Sequence, residues 1–141
     1  MAKPLKIDFS IPKYLENSIN TLCKATNENI TRDSAKDIVS KDIHMAVATG
    51  DITVVQSSLL QDYYISGEMF SEIELPEDVQ DDIDMVIYLR YVVEKNGSEI
   101  GDVLNYRNQL MMFLSSIKIA LMNGEISQDT FHQLKEKYMI I

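Results

Sequence analysis

The sequence has a single cysteine, no tryptophan, three prolines and five glycines in 141 residues. One cysteine, Cys23, excludes a disulfide within the chain, and the small number of prolines and glycines argues against a disordered protein. The longest apolar run, residues 85–93, contains Arg90 and is far shorter than the ~20 residues that span a bilayer. The first residues also lack the apolar core of a secretory signal. We therefore expect a globular, cytoplasmic protein without a membrane span.

Recognisable catalytic signatures are missing as well. The sequence contains no glycine-rich phosphate loop, no Gly-x-Ser-x-Gly elbow and no His-Glu-x-x-His pair. Its two histidines, His44 and His132, provide together with Cys23 too few ligands for a tetrahedral zinc site. Cys23 continues an apolar helix face next to Leu22, so we expect it to be a small buried hydrophobe. The sequence thus predicts no catalytic residue, no cofactor and no metal ligand, and a protein that is not an enzyme.

The most informative feature that is present is a cluster of acidic residues at positions 67–84, the acidic segment. It contains no Lys or Arg, and its eight carboxylates belong to Glu68, Glu72, Glu74, Glu77, Asp78, Asp81, Asp82 and Asp84. This segment therefore supplies −8 of a formal net charge of −9. Such a field repels nucleic acid and anionic lipid and attracts basic surfaces over roughly one Debye length, about 8 to 10 Å. We predict a basic protein as the partner, with no direct nucleic-acid or membrane binding.

Apolar residues recur at helical spacing along most of the chain, which predicts an all-α fold. We expect a compact bundle of about five to six helices in a single domain, residues 1–141. The first helix should end at the polar stretch 26–29, and the fourth should be the most buried. The other predicted helix boundaries are proline, glycine and polar capping residues: Pro12, Thr31, Gly50, Asp51, Pro76, Asn96, Gly97, Ser98, Gly124 and Ser127.

Two segments could instead form strands and give an α+β fold. Residues 1–11 are predicted to be an extended N-terminal arm, in which Leu5, Ile7, Phe9 and Ile11 alternate with polar residues; an edge strand at 4–11 is the alternative. Residues 83–93 have high strand propensity, but the lack of a helix breaker after Pro76 favours a helix there.

Two short segments resemble known families. Residues 43–60 resemble the helix-turn-helix half of an ankyrin repeat, although no similar segment lies one repeat length away. Residues 119–141 look like a SHOCT-type C-terminal helical hairpin, which would imply only a role in assembly. The residues that carry these two resemblances are His44, Met45, Ala46, Gly50, Asp51, Ile52, Val54, Val55, Leu59 and Leu60, and then Leu121, Gly124, Ile126, Phe131, Leu134 and Lys135. No binding residue is carried over from either family.

Together these features predict a non-enzymatic protein-binding module, comparable to an inhibitor, immunity protein, antitoxin or chaperone. Its docking surface would combine the acidic loop, residues 67–76, and the following helix start with neighbouring tyrosines, because Tyr is frequent at binding surfaces. The predicted partner-binding residues are Tyr63, Tyr64, Glu68, Glu72, Glu74, Glu77, Asp78, Asp81 and Asp82.

Other functions are compatible with the same residues. The carboxylates could mimic nucleic-acid phosphates and regulate a DNA- or RNA-handling enzyme, or they could serve a small metal-dependent hydrolase. The long apolar helix predicted to begin at Ser98 and end near Asn123 could also join two copies of the chain as a homodimer.

Overall fold

The computed structural model describes residues 4–25, 31–71 and 73–139, and every regular element in it is helical. The six α-helices are α1 (Lys13–Ala25), α2 (Arg32–Ala48), α3 (Val54–Leu60), α4 (Glu77–Lys95), α5 (Ile100–Met122) and α6 (Gln128–Tyr138). A π-helical turn, Gln61–Ile65, continues α3. No described residue lies in a strand, so the all-α prediction is confirmed and the alternative strands at 4–11 and 83–93 are ruled out. The polar stretch 26–29 lies outside the described residues.

Contacts divide the chain into two compact units, residues 1–72 and 73–141. The division falls within the acidic segment, so that α1 to α3 belong to the first unit and α4 to α6 to the second. The single domain over residues 1–141 stays a prediction, because these contacts describe each unit by itself. None of the described helices combines the length and apolarity needed to cross a membrane.

In the first unit, α2 packs against both α1 and the π-helical turn. Val39, Ile43 and Ala46 of α2 are completely buried, and their spacing of four and three residues explains why this segment forms a helix with one apolar face. Leu15 and Leu22 provide the fully buried side chains of α1. Burial of such aliphatic side chains contributes roughly 1.5 to 3 kcal/mol each relative to exposure.

The N-terminal arm has the predicted alternation. Leu5, Ile7, Phe9 and Ile11 are half-buried, whereas the polar residues between them are exposed. The backbone N–H of Leu5 donates a hydrogen bond of 2.8 Å to the Tyr64 hydroxyl, which attaches the arm to the end of the π-helical turn.

Three helices end as the glycines predicted. At Gly50 (φ +78°) the N–H groups of Gly50 and Asp51 donate to the carbonyls of Val47 and Ala46, at 3.0 and 2.9 Å. This pair of bonds is a Schellman motif, in which a left-handed residue allows the last carbonyls of the helix to be satisfied. The same arrangement ends α4 at Gly97 and α5 at Gly124.

The predicted start of α3 is wrong by two residues. Thr53, not Asp51, is the N-cap: its hydroxyl accepts from the Gln56 N–H at 3.1 Å, and the Gln56 side chain accepts from the Thr53 N–H at 2.9 Å. This reciprocal pair is a capping box, which satisfies two backbone donors at once. Asp51 instead accepts a hydrogen bond from the Thr49 hydroxyl at 2.8 Å. In α5 the start also differs, because Ser98 has φ +63° and Glu99 is the N-cap.

In the second unit, α4 and α5 form an antiparallel pair. Asp82 contacts Ser116 and Arg90 contacts Tyr106, so partners descend along α5 as residues ascend along α4. Val86 of α4 is among the completely buried residues of this unit. The C-terminal helix α6 packs against α5, with the rings of Phe113 and Tyr138 centred 5.7 Å apart.

Both long helices are less buried than their sequences predicted. Met85 on α4 is 46 % exposed, so part of the apolar surface of α4 is not covered by other residues. In α5 only one face is buried, and six large apolar side chains of this helix are exposed. The buried face of α5 consists of Gln109, Leu110, Phe113, Ile117 and Ala120.

Candidate functional site

Tyr63 and Tyr64 lie in the core of the first unit rather than on a docking surface. They are only 3 and 2 % exposed, and their rings meet edge to face with centroids 4.9 Å apart. Phe70 completes the aromatic cluster, with its centroid 5.8 Å from Tyr63 and 5.4 Å from Tyr64. The Tyr63 hydroxyl donates to the Met69 sulfur at 3.0 Å, while the Tyr64 hydroxyl accepts from the N-terminal arm. The prediction that these two tyrosines flank the partner surface is therefore wrong.

A signal for this burial was present in the sequence. Leu59 and Tyr63 are four residues apart, and so are Leu60 and Tyr64, which places each pair on one side of a continuing helix. Both leucines are buried, and the π-helical turn continues α3 so that the tyrosines follow them into the core. Burial raises the pKa of Tyr64 to about 12, which keeps this hydroxyl protonated and neutral inside the unit.

Among the described residues of the acidic loop, Glu74 has an exposed carboxylate but Glu68 does not. Glu68 is only 9 % exposed, and its backbone carbonyl accepts from both the N–H and the hydroxyl of Ser71, at 3.2 and 2.9 Å. Glu68 is therefore corrected from a partner-binding residue to a buried one. Glu72 lies outside the described residues.

Four of the predicted carboxylates, from Glu74, Glu77, Asp78 and Asp81, are exposed and belong to the second unit; they form the acidic face. None of these four carboxylates accepts a hydrogen bond from the described residues or forms an ion pair with them. Glu77 and Asp78 occupy the first turn of α4, where the positive end of the helix dipole favours them by roughly 0.3 to 1 kcal/mol each. Asp81 lies one helical turn after both residues and repels them, by a few tenths of a kcal/mol per pair.

Two apolar side chains accompany the acidic face. Ile73, directly before Glu74, is 48 % exposed, and Met85, four residues after Asp81, is 46 % exposed. Residues four apart are neighbours on a helix surface, so Met85 continues the row that Asp81 begins. The acidic face thus joins negative charge to exposed apolar area within residues 73–85.

Asp82 has a structural environment that separates it from its neighbour Asp81. It is half-buried between α4 and α5, where its carboxylate accepts from the Gln109 amide at 3.2 Å and from the Ser116 hydroxyl. Gln109 is itself buried, so Asp82 provides an acceptor for a polar group in the interior of the helix pair. A carboxylate used in this way connects the two helices. A role for Asp82 in partner binding stays a prediction, and the acidic face is defined without it.

The described residues contain no group of three or more His, Cys, Asp or Glu side chains placed to hold a metal ion. Cys23 is buried, as predicted, and burial raises the pKa of its thiol. His44 and His132 are both exposed, with the His132 ring 5.5 Å from that of Phe131.

The fold and these surfaces define an all-helical protein with an anionic, partly apolar surface on its second unit. Comparison with protein-family models, curated proteins and solved structures finds no match for the chain, and neither the ankyrin nor the SHOCT resemblance gains support from it.

Proposed function

We propose that this protein is a non-enzymatic protein-binding module whose acidic face docks a basic surface of a partner protein. The observation that supports the proposal is the combination of four exposed carboxylates, unpaired among the described residues, with the exposed side chains of Ile73 and Met85. Carboxylates that repel one another lower stability slightly, whereas a cationic partner removes that repulsion. The apolar neighbours add area that becomes dry on binding, which charge alone does not provide.

The burial of Tyr63, Tyr64 and Glu68 makes the proposed surface smaller than the sequence suggested. What supports binding is a single row along the first turns of α4 together with the residues that precede it. A surface of this size is suited to a basic helix or loop of a partner, with electrostatic attraction increasing the association rate. We further propose that binding takes place in the cytoplasm, a reducing compartment in which a free thiol such as that of Cys23 persists.

The proposal is tested by reversing charge on the acidic face without touching Asp82. The test variant carries Glu77→Lys, Asp78→Lys and Asp81→Lys. The matched control carries Glu94→Lys, Glu125→Lys and Glu136→Lys, which changes three exposed carboxylates of the same unit and gives the same net charge. Both variants and the unmodified chain are used as bait in affinity purification from the native host.

We expect the unmodified chain and the control to recover the same basic protein and the test variant to lose it. With the recovered protein purified, raising the salt concentration should weaken its binding to the unmodified chain, because screening reduces the attraction. Recovery of that protein by the test variant with unchanged affinity would contradict the proposal. Displacement of the protein by DNA or RNA would identify it as a nucleic-acid-handling enzyme.

A further inference from the structure

The side of α5 that faces away from its buried residues carries large exposed apolar side chains from one end of the helix to the other, with the polar side chains of Asn108 and Ser115 between them. We call this surface the outer face of α5. Its six large apolar side chains are between 52 and 84 % exposed, and they belong to Ile100, Leu104, Met111, Met112, Ile119 and Met122. Exposed apolar side chains in this number are typical of a surface that another molecule covers.

The area of the outer face is that of an interface. Six side chains at these exposures present on the order of 700 Å² of apolar surface, at or above the ~300 to 600 Å² of the largest patch on a typical monomer. It is close to the ~800 Å² that each partner contributes to a standard protein–protein interface. The outer face is therefore large enough to hold a stable dimer by itself.

The spacing of the six apolar residues is nearly the same whether α5 is followed from its N-terminus or from its C-terminus. Successive members are separated by 4, 7, 1, 7 and 3 residues, so the pattern is almost symmetric about the bond between Met111 and Met112. An interface between two identical copies related by a two-fold axis must be self-complementary in this way, because each residue meets a residue at the mirrored position. With the axis at Met111 and Met112, Leu104 of one copy meets Ile119 of the other.

The outer face carries no carboxylate along most of its length. Residues 103–124 contain no Asp or Glu, although the chain has 22 acidic residues in 141. A second copy that packs on this part of α5 therefore meets no carboxylate of the helix, although the chain as a whole is anionic. Its two exposed cations, Arg107 and Lys118, lie on one edge of the outer face. In the antiparallel pair Arg107 of one copy lies about two positions, roughly 3 Å of helix rise, from Lys118 of the other, and in a parallel copy in register each cation lies against itself. The charges therefore do not distinguish the two orientations, whereas the order of the apolar residues does.

We propose that two copies of this chain associate through the outer faces of α5, antiparallel and with a two-fold axis at Met111 and Met112. The dimer does not involve the acidic face, so it stands or falls independently of the partner proposed above.

The first test places a charge at the axis. Met111→Glu puts two carboxylates next to each other in the dimer and adds one exposed charge to the single chain. Met45→Glu is the matched control, because Met45 on α2 is exposed to a similar extent, 54 % against 59 %. Sedimentation equilibrium should give the mass of two chains for the unmodified protein and for Met45→Glu, and a dimer dissociation constant at least about tenfold higher for Met111→Glu. A monomeric unmodified chain, or a Met111→Glu dimer of unchanged affinity, would overturn the proposal.

The second test determines the orientation with milder substitutions. Leu104 and Ile119 are 15 positions apart, which is about 22 Å along a helix. A short thiol cross-linker should therefore join Leu104→Cys chains to Ile119→Cys chains when the two are mixed, and should join neither variant to itself; Cys23 is buried. Cross-linking of Leu104→Cys to itself, or no cross-linking in the mixture, would overturn the antiparallel arrangement.

Discussion

Replacement of Asp82 by alanine should destabilise the second unit, whereas the same replacement at Asp81 should not. Asp82→Ala removes the acceptor for the Gln109 amide and the Ser116 hydroxyl. Hydrogen bonds to charged groups contribute about 1.5 to 3 kcal/mol each when buried, and the half-exposed position of Asp82 favours the lower end of that range. Alanine is the better helix former by roughly 0.5 kcal/mol, which offsets part of the loss. We expect a net decrease of about 2 kcal/mol in the free energy of unfolding.

Asp81→Ala provides the matched control because the same residue type is changed at the adjacent position. The Asp81 carboxylate is exposed and receives no hydrogen bond from the described residues, so its removal loses nothing and relieves repulsion from Glu77 and Asp78. We expect a stabilisation of about 1 kcal/mol, from roughly 0.5 kcal/mol of helix propensity and a few tenths of a kcal/mol for each of the two repulsive pairs removed. The two neighbouring carboxylates should thus have effects of opposite sign.

Urea unfolding followed by far-ultraviolet circular dichroism measures both changes. A double-mutant cycle that combines Asp82→Ala with Ser116→Ala should give a coupling energy of about 1 kcal/mol, since the two side chains form one hydrogen bond. If Asp82→Ala and Asp81→Ala change the free energy of unfolding equally, or if the cycle shows no coupling, the assignment of Asp82 to the helix pair is refuted.

Two further predictions concern the first unit. The pKa of Tyr64 in the folded protein, about 12, lies above the ordinary value of ~10. The contribution of this tyrosine to the free energy of unfolding is therefore complete below about pH 10 and falls by up to about 1.4 kcal/mol per pH unit between pH 10 and pH 12. Tyr64→Phe should reduce this slope when urea midpoints are measured against pH, and an unchanged slope would contradict the prediction. Thr53→Ala should lower the free energy of unfolding by about 1 kcal/mol through loss of the capping box with Gln56. Asp51→Ala should lower it by less than about 0.5 kcal/mol. A lower melting temperature for Asp51→Ala than for Thr53→Ala would show that Asp51 is the cap.

Much of the local structure was determined by the sequence alone. The Schellman motifs at Gly50, Gly97 and Gly124 end their helices where the sequence predicted. Glycine adopts a positive φ without the steric penalty that a Cβ atom causes, and this holds whatever the rest of the fold is. The exposure pattern of the N-terminal arm likewise follows from alternation between apolar and polar residues. These features depend on neighbours within a few residues, so no knowledge of distant contacts is needed.

The candidate surfaces depended on the tertiary structure instead. Tyr64 is a core residue because Leu5, 59 positions away, donates to its hydroxyl and because Phe70 packs against its ring. Asp81 and Asp82 are identical and adjacent in the sequence, yet one is exposed and the other is held by α5 from 27 and 34 positions away. The sequence determined by itself where the helices and their charges lie. Which tyrosines and carboxylates reach the surface was decided only by packing, since burial of a polar side chain requires a partner that folding alone brings to it.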